Sequence, residues 1–458
     1  MSKGAALLVC LALVVYDPFP APAGNVDTFG VGAKATALGG AFAAYADDPF
    51  AIHYNPAGLT QIARPVLSLG TQVVQPDMRV SNYQVTGLTP PLTLGPRDFV
   101  DHSSALVVPH MALAVPIRSS LVAGVGFYVP YGLDLKWGGS PNDPGAYNSY
   151  HSWYRREVVT PSLAFKVTES LSLGAGISLG RSLAGAERLA FAPFITNLHN
   201  RQIEFDFQDD ANWSLNFGFL YKPLKTISFG LTYRGNTPTR FKGTARAVGL
   251  SNGDVLSVPA AGLTGTVQNT VVYAETRIDH PEQLQLGARY LPGERLSLEV
   301  DLVWTRWSRI DGYTVSYDSK FLDAPALGPF NPGVTSEFSP RDWQDTTQVR
   351  IGMEWQVSKV LALRGSYFYD PSPVPDGTMD FQWVDADKRT FALGAGLNFS
   401  RISIDGVLQY TMSDGRRESN GESVNLNGSY GGGGGTPRVS FKADGHLWGG
   451  GLTVSYRF

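Results

Sequence analysis

The chain ends in an alternating row. Leu452, Val454, Tyr456 and Phe458 interleave with Thr453, Ser455 and Arg457. A period of two puts the apolar side chains of an extended strand on one face and the polar ones on the other. The same period recurs in Leu171, Leu173, Ala175, Ile177 and Leu179 against Ser172, Gly174, Gly176 and Ser178, and in Phe391, Leu393, Ala395, Leu397 and Phe399. In Trp213, Leu215, Phe217, Phe219 and Tyr221 the row carries aromatics at both ends, as a strand crossing two lipid interfaces requires. Beyond the N-terminal leader, no segment reaches the length and apolarity of a membrane-spanning helix. A membrane form of this chain must therefore be a closed barrel, whose strands satisfy one another's backbone groups.

The alternation predicts an all-β protein with strands near 65–80, 103–117, 120–135, 152–167, 171–190, 211–222, 226–246, 279–291, 295–313, 344–357, 360–369, 389–400, 401–413 and 445–458. A soluble sandwich also alternates, so the connections decide. Those from Ile117 to Ser120, Val167 to Leu171, Lys222 to Thr226, Pro292 to Arg295, Val357 to Val360 and Ser400 to Arg401 are tight, and most of the others are long and polar. Short turns at one rim, long loops at the other and an even strand count predict a fourteen-stranded antiparallel transmembrane β-barrel of the bacterial outer membrane. The 51 glycines and 12% aromatic content suit such a sheet. A net charge of -3 offers no basic surface for nucleic acid.

At the N-terminus, Met1, Ser2 and Lys3 precede an apolar run from Ala5 to Tyr16, which gives way to Pro18, Pro20 and Pro22. A run of this length falls short of the roughly 20 residues a bilayer needs. With Ala21 and Ala23 as small residues, it reads as a secretory signal peptide over residues 1–23, cut after Ala23. The one cysteine, Cys10, leaves with it, so the mature chain has no disulfide, thiolate nucleophile or cysteine metal ligand. Residues 24–64 do not alternate and are rich in Gly and Ala between Gly32 and Ala46. A fourteen-stranded barrel has a lumen too wide for its own side chains to fill. This segment is therefore expected to fold into the bore as a hatch, with the barrel over 65–458. Next come Asp47, Asp48 and Pro49, then Asn55, Pro56, Ala57, Gly58 and Leu59, a tight-turn signal.

At these residues the chain resembles the FadL-type family of outer-membrane long-chain fatty acid transporters, whose relatives also carry aromatic hydrocarbons. Asn55, Pro56 and Ala57 match the family's hatch motif. Further matches follow in order: Val108 to Met111, Tyr131 to Leu133, Tyr233 and Arg234 with Phe241 to Gly243, Trp304 with Trp307 and Ser308, and Asp370 to Pro375. The resemblance implies a hatch plugging the barrel, capture of a hydrophobic small molecule at an extracellular groove, transfer to an inner pocket, and sideways release beside a kinked third strand. It implies no cofactor and no catalysis. The partners it implies are outer-membrane lipid and lipopolysaccharide, and the barrel assembly machinery, which reads a terminal aromatic such as Phe458.

On the third strand, Gly124 and Gly126 fall on the lumen-facing row, where missing side chains leave either a gap or simply room for a plug. A carboxylate ligand needs a cation in the bore, and strand phase nominates Arg350 and Arg364; Arg364 also resembles an arginine position of the family. Glu299, Asp301, Glu354 and Asp405 face inward too, so these arginines could instead close lumenal ion pairs. Arg181 and Arg188, beside a partly apolar loop, are alternative anchors. Phe191, Phe194, Trp137 and Trp153 are candidates for the outer hydrophobic site, or for an interfacial girdle. The run Gly431 to Gly435 reads as a flexible, solvated spacer.

The rivals are a monoaromatic hydrocarbon channel of the same family, a general porin and an outer-membrane enzyme. A porin does not explain a segment of non-strand residues ahead of the barrel. For an enzyme, nucleophile, base and orienter should converge, yet the seven histidines at 53, 102, 110, 151, 199, 280 and 446 lack ligand spacing and there is no Gly-x-Ser-x-Gly.

Overall fold

The computed structural model describes residues 30–458 except 90–91, 139, 141–142, 384 and 414–416. The leader assigned to 1–23, with Cys10 and the first residues of the proposed hatch, lies outside the described residues.

Fourteen staves form the sheet, several in two segments. They are β1 (Val66–Leu88), β2 (Leu92–Val100 and Leu106–Arg118), β3 (Leu121–Lys136), β4 (His151–Lys166) and β5 (Leu171–Leu189). Next come β6 (Gln202–Leu224), β7 (Ile227–Arg234 and Arg240–Ala247), β8 (Val271–Arg277 and Gln283–Tyr290), β9 (Leu296–Thr305 and Gly312–Phe321) and β10 (Val334–Pro340 and Thr346–Gln356). The last are β11 (Leu361–Asp370), β12 (Lys388–Asn398), β13 (Ile402–Ser413 and Arg417–Asn420) and β14 (Gly435–Arg457). Each pairs antiparallel with the next, and β1 closes the ring on β14 from Val66↔Arg457 to Leu88↔Gly435. Closure of the ring leaves none of the described strands as a free outer edge. No helix among the described residues is long and apolar enough to cross a membrane.

The apolar rows face outward. Leu173, Ile177, Leu179, Trp213, Phe217, Phe391 and Leu393 are exposed, while Ser172, Ser178, Ser214 and Asn216 are buried inside. This is the reverse of a soluble protein, because lipid is the outer solvent. The extracellular ends depart from the sequence expectation: β6 begins at Gln202 rather than near 211, and β14 at Gly435 rather than near 445. On β6 the reason lies in a bulge. Gly180 pairs with Asn212 and Ser182 with Asp209, so two residues of β6, Asp210 and Ala211, oppose the single Arg181. Below it Asn212, Ser214 and Asn216 point inward; above it Ile203, Phe205 and Phe207 do. Above the lipid the outside is water and the inside packs on loops, so the polarity of the two faces inverts along one strand.

Those inward-facing upper segments enclose an apolar core that includes Tyr83, Trp137, Tyr154, Phe241, Phe381 and Tyr430. Within the run Gly431 to Gly435 only Gly433 is buried; Gly432 and Gly433 pack against Phe191 of this core, while Gly431, Gly434 and Gly435 are exposed as a solvated spacer would be. A Cβ on Gly432 would lie 2.2 Å from the Phe191 carbonyl oxygen, and one on Gly433 would lie 2.5 Å from the Phe191 ring.

The bore holds α1 (Ala33–Ala37), α2 (Ala51–Tyr54) and a 3-10 turn, Pro56–Gln61. Helix α1 stops where Gly39 takes φ 66°, a left-handed conformation that closes a helix without a Cβ clash. Val31, Leu38, Phe42, Phe50, Ile52 and Leu59 form the buried interior of this plug.

Candidate functional site: the plugged lumen and its pockets

Asn55 is completely buried and fastens the plug in two directions. Its Nδ2 donates to the Ala43 carbonyl at 2.6 Å and to the Phe219 carbonyl of β6 at 3.0 Å, and its Oδ1 accepts from the Ala57 amide at 3.1 Å. Pro56 opens the 3-10 turn, where its missing N–H costs nothing. The wall is shaped to receive this turn. A Cβ on Gly174 would lie 2.3 Å from the Ala57 amide nitrogen, and one on Gly218 would lie 2.2 Å from Asn55 Oδ1.

Two inward carboxylates of β9 bind the plug's backbone, a role the sequence did not reveal. Glu299 accepts from the amides of Ala44 and Tyr45 at 2.9 and 3.1 Å, and Asp301 from those of Phe42 and Ala43 at 3.1 and 3.0 Å. These bonds to four successive amides fasten the loop to the wall.

The two nominated lumenal arginines differ. Arg364 is 5% exposed and held between Glu354 at 2.7 Å and Asp405 at 2.6 Å, so its charge is already matched. Arg350 lines a pocket above the plug, between Gly39, Gly40 and Tyr54 on one side and Phe368 and Lys388 on the other. Its Nε donates to the Gln348 side chain at 3.0 Å, a weak 3.5 Å contact reaches the Gly40 carbonyl, and the guanidinium lies 5.5 Å from the Phe368 ring. Among the described residues no carboxylate pairs with it. Lys388 is paired with Asp385 at 2.5 Å and with Asp370 at 3.6 Å.

The alternative anchors lie elsewhere. Arg181 falls on the outward row at the β6 bulge, paired with Asp210 at 3.4 Å, and does not reach the lumen. Arg188 is bound to Glu337 at 2.6 Å. It lines an extracellular cavity of about 390 Å³ together with Trp153, Phe205, Phe207, Tyr313 and Trp383. Of the proposed outer aromatics, Trp153 lines this cavity. Trp137 and Phe191 are buried in packing instead: Trp137 against Phe99 and Phe381, Phe191 against Tyr147 and Tyr430. Phe194 is half-buried in the loop after β5.

On β3, Gly124 and Gly126 both face Ile52 of the plug, where their Cβ atoms would lie 2.9 and 3.5 Å from its side chain. Pairing between β2 and β3 runs from Arg118↔Leu121 to Met111↔Phe127 and goes no higher, although β2 stays paired with β1 up to Leu106. The register against β4 also jumps between Tyr128 and Tyr131, across Pro130, which has no N–H to give a ladder. The discontinuity in the wall therefore lies just above the two glycines. Opposite Tyr131 in register is Arg156, which sequence reasoning missed although it shares the inward phase of Tyr154 and Val158. It is 3% exposed and donates through Nε to Asn212 at 2.8 Å, while its Nη2 is buried and among the described residues has no partner.

A family described as outer membrane protein transport protein (OMPP1/FadL/TodX) matches residues 13–458. The chain belongs to that family. Members are transporters or channels and not enzymes, and this FadL-type protein is an outer-membrane transporter of hydrophobic compounds. It is 22% identical over 439 residues to a long-chain fatty acid transport protein of Escherichia coli, covering 91% of this chain and 90% of that one. A solved FadL homologue of Pseudomonas aeruginosa shares its fold with a TM-score of 0.76 at 20% identity, over 95% of this chain and 100% of that one. The toluene transporter TbuX of Ralstonia pickettii superposes with a TM-score of 0.64 at 17% identity, over 94% and 98% of the respective chains. At these identities the solved structures establish the shared fold.

Proposed function

We propose that this FadL-type transporter takes up long-chain fatty acids. In this reading the acyl tail is captured in the extracellular cavity beside Trp153 and Arg188, and the carboxylate is then received by Arg350 above the plug. Arg156, with its buried and unpartnered Nη2, offers a second station on the way to the discontinuity between β2 and β3, where the ligand leaves sideways into the membrane. Burying each CH₂ contributes about 0.8 kcal/mol, so a long tail binds any apolar pocket firmly and a movement of the plug is needed to empty it. The observation that carries the reading is the guanidinium of Arg350, which lines the pocket without a carboxylate of its own. A neutral ligand would have no use for it.

The second reading is uptake of monoaromatic hydrocarbons. It is favoured by the likeness to the toluene transporter and by the apolar, aromatic lining of the extracellular cavity. Equilibrium binding of oleate and of toluene to the purified protein, with Arg350→Ala beside the parent, separates the two. Oleate binding that weakens in the variant supports the fatty acid reading; toluene binding alone, indifferent to the substitution, replaces it with the second.

The same reading includes export with cleavage after Ala23, residues 24–64 as the hatch and 65–458 as the barrel, and delivery of the terminal Phe458 to the barrel assembly machinery.

A further inference from the structure

An outward groove lies directly above the lipid-facing belt on β6, β7 and β8. It is formed where the β6 bulge meets the interruption of β7 between Arg234 and Arg240, and its volume is about 760 Å³. Trp213 and Tyr233, both exposed on the outer face, mark the upper limit of the apolar belt on the same strands. Asp210, at the groove, is three residues above Trp213, so the groove sits about 10 Å further out at 3.3 Å per residue. The long connections lie on this side. The groove therefore opens at the headgroup level of the outer leaflet, which in this membrane is a phosphorylated glycolipid.

The groove's charges are unequally matched. Its carboxylates are engaged within the protein: Asp209 accepts from the amides of Ala211 at 3.0 Å and Arg240 at 2.8 Å, and Asp210 pairs with Arg181. Arg277 forks onto Asp279 with two bonds of 2.8 Å. Glu275, across from Lys242, takes the Tyr273 hydroxyl at 3.1 Å. Arg240 and Lys242 stand on one outward row, exposed, and among the described residues neither side chain has a partner. Arg240 is moreover directly opposite Arg277 in the ladder. Asp279 matches the charge of Arg277 and leaves that of Arg240 unmatched.

We propose that this groove binds the phosphorylated headgroup of the outer-leaflet glycolipid, with Arg240 and Lys242 as its phosphate ligands and Arg277 beside them. Arginine meets phosphate through paired N–H donors, lysine as a compact point charge, and both are placed where the headgroup lies when the acyl chains lie against the belt. The site is independent of which substrate the lumen carries.

The test measures the thermal unfolding of the full-length mature protein in detergent with added bis-phosphorylated lipid A, dephosphorylated lipid A or inorganic pyrophosphate. Phosphorylated lipid A is expected to raise the unfolding temperature of the parent and of Arg246→Glu, whose residue lies outside the groove and pairs with Glu204. The same lipid is expected to have no effect on the Arg240→Glu/Lys242→Glu double variant. The proposal is overturned if the double variant keeps the stabilisation, or if dephosphorylated lipid A stabilises the parent equally. Stabilisation by pyrophosphate alone also overturns it, reassigning the groove to a soluble anion.

Discussion

Gly218 of β6 lies against Asn55 of the plug so closely that a Cβ on the glycine would come within 2.2 Å of Asn55 Oδ1. The barrel wall and the hatch motif are therefore one fitted joint. Gly218→Ala must push the turn off the wall at a cost of about 1–3 kcal/mol. Asn55→Ala leaves the buried Ala43 and Phe219 carbonyls short of a donor, at about 1–3 kcal/mol. Both variants are expected to fold into heat-modifiable barrels yet show raised ion conductance in planar bilayers and faster exchange of the plug's amides. Parent-like conductance in both would mean that this joint does not hold the plug.

Arg364 answers differently from Arg350. Removing its side chain strands Glu354 and Asp405, both inward and nearly buried, so Arg364→Ala is expected to cost about 3–5 kcal/mol of barrel stability. Urea unfolding in detergent measures this, with Arg350→Ala as the comparison. That second variant loses no ion pair and should unfold near the parent midpoint.

The extracellular rim carries a pH-sensitive pair. Glu282, in the connection between the two segments of β8, accepts from Arg309 at 2.7 and 2.9 Å and from Arg306 at 3.1 Å. These bonds, Arg309 first, lower its carboxyl from 4.5 to about 2. A depressed carboxylate stabilises the folded state above its unfolded value, and that contribution is lost as pH falls through the folded one. The stability difference between parent and Glu282→Gln is thus expected to be full at neutral pH and to close between pH 4.5 and about 2. A difference that stays constant across this window would rule out the pair as its source.

If export proceeds as proposed, the protein recovered from outer membranes begins at Gly24 and contains no cysteine, since Cys10 is the one in the chain. Intact-mass measurement and the absence of thiol labelling check this together. A retained thiol would place the cleavage upstream of residue 10 or show none.

Much of this was legible in the sequence because it depends on local repetition. The lipid rows such as Leu173 to Leu179 and Trp213 to Phe217 repeat every second residue. The tight turns recur between alternate strand pairs, and the glycine- and alanine-rich stretch before Val66 visibly fails to alternate. Those patterns determined an even-numbered barrel, its plug and, through the matched motifs, its family. The remainder depends on residues distant in the chain. The Asp210–Ala211 bulge inverts which face of β6 is apolar, and no single-strand period predicts across it. Arg350 and Arg364 share one phase and one composition of neighbours. They part only because Glu354 and Asp405 converge on Arg364 across the β10–β11–β12–β13 wall, while Arg350 meets the plug. Likewise Glu299 and Asp301 read as ion-pair partners until the backbone of residues 42–45, more than 250 positions away, is seen to arrive at them. Period and phase are properties of a strand, whereas a charge's partner is a property of the closed ring.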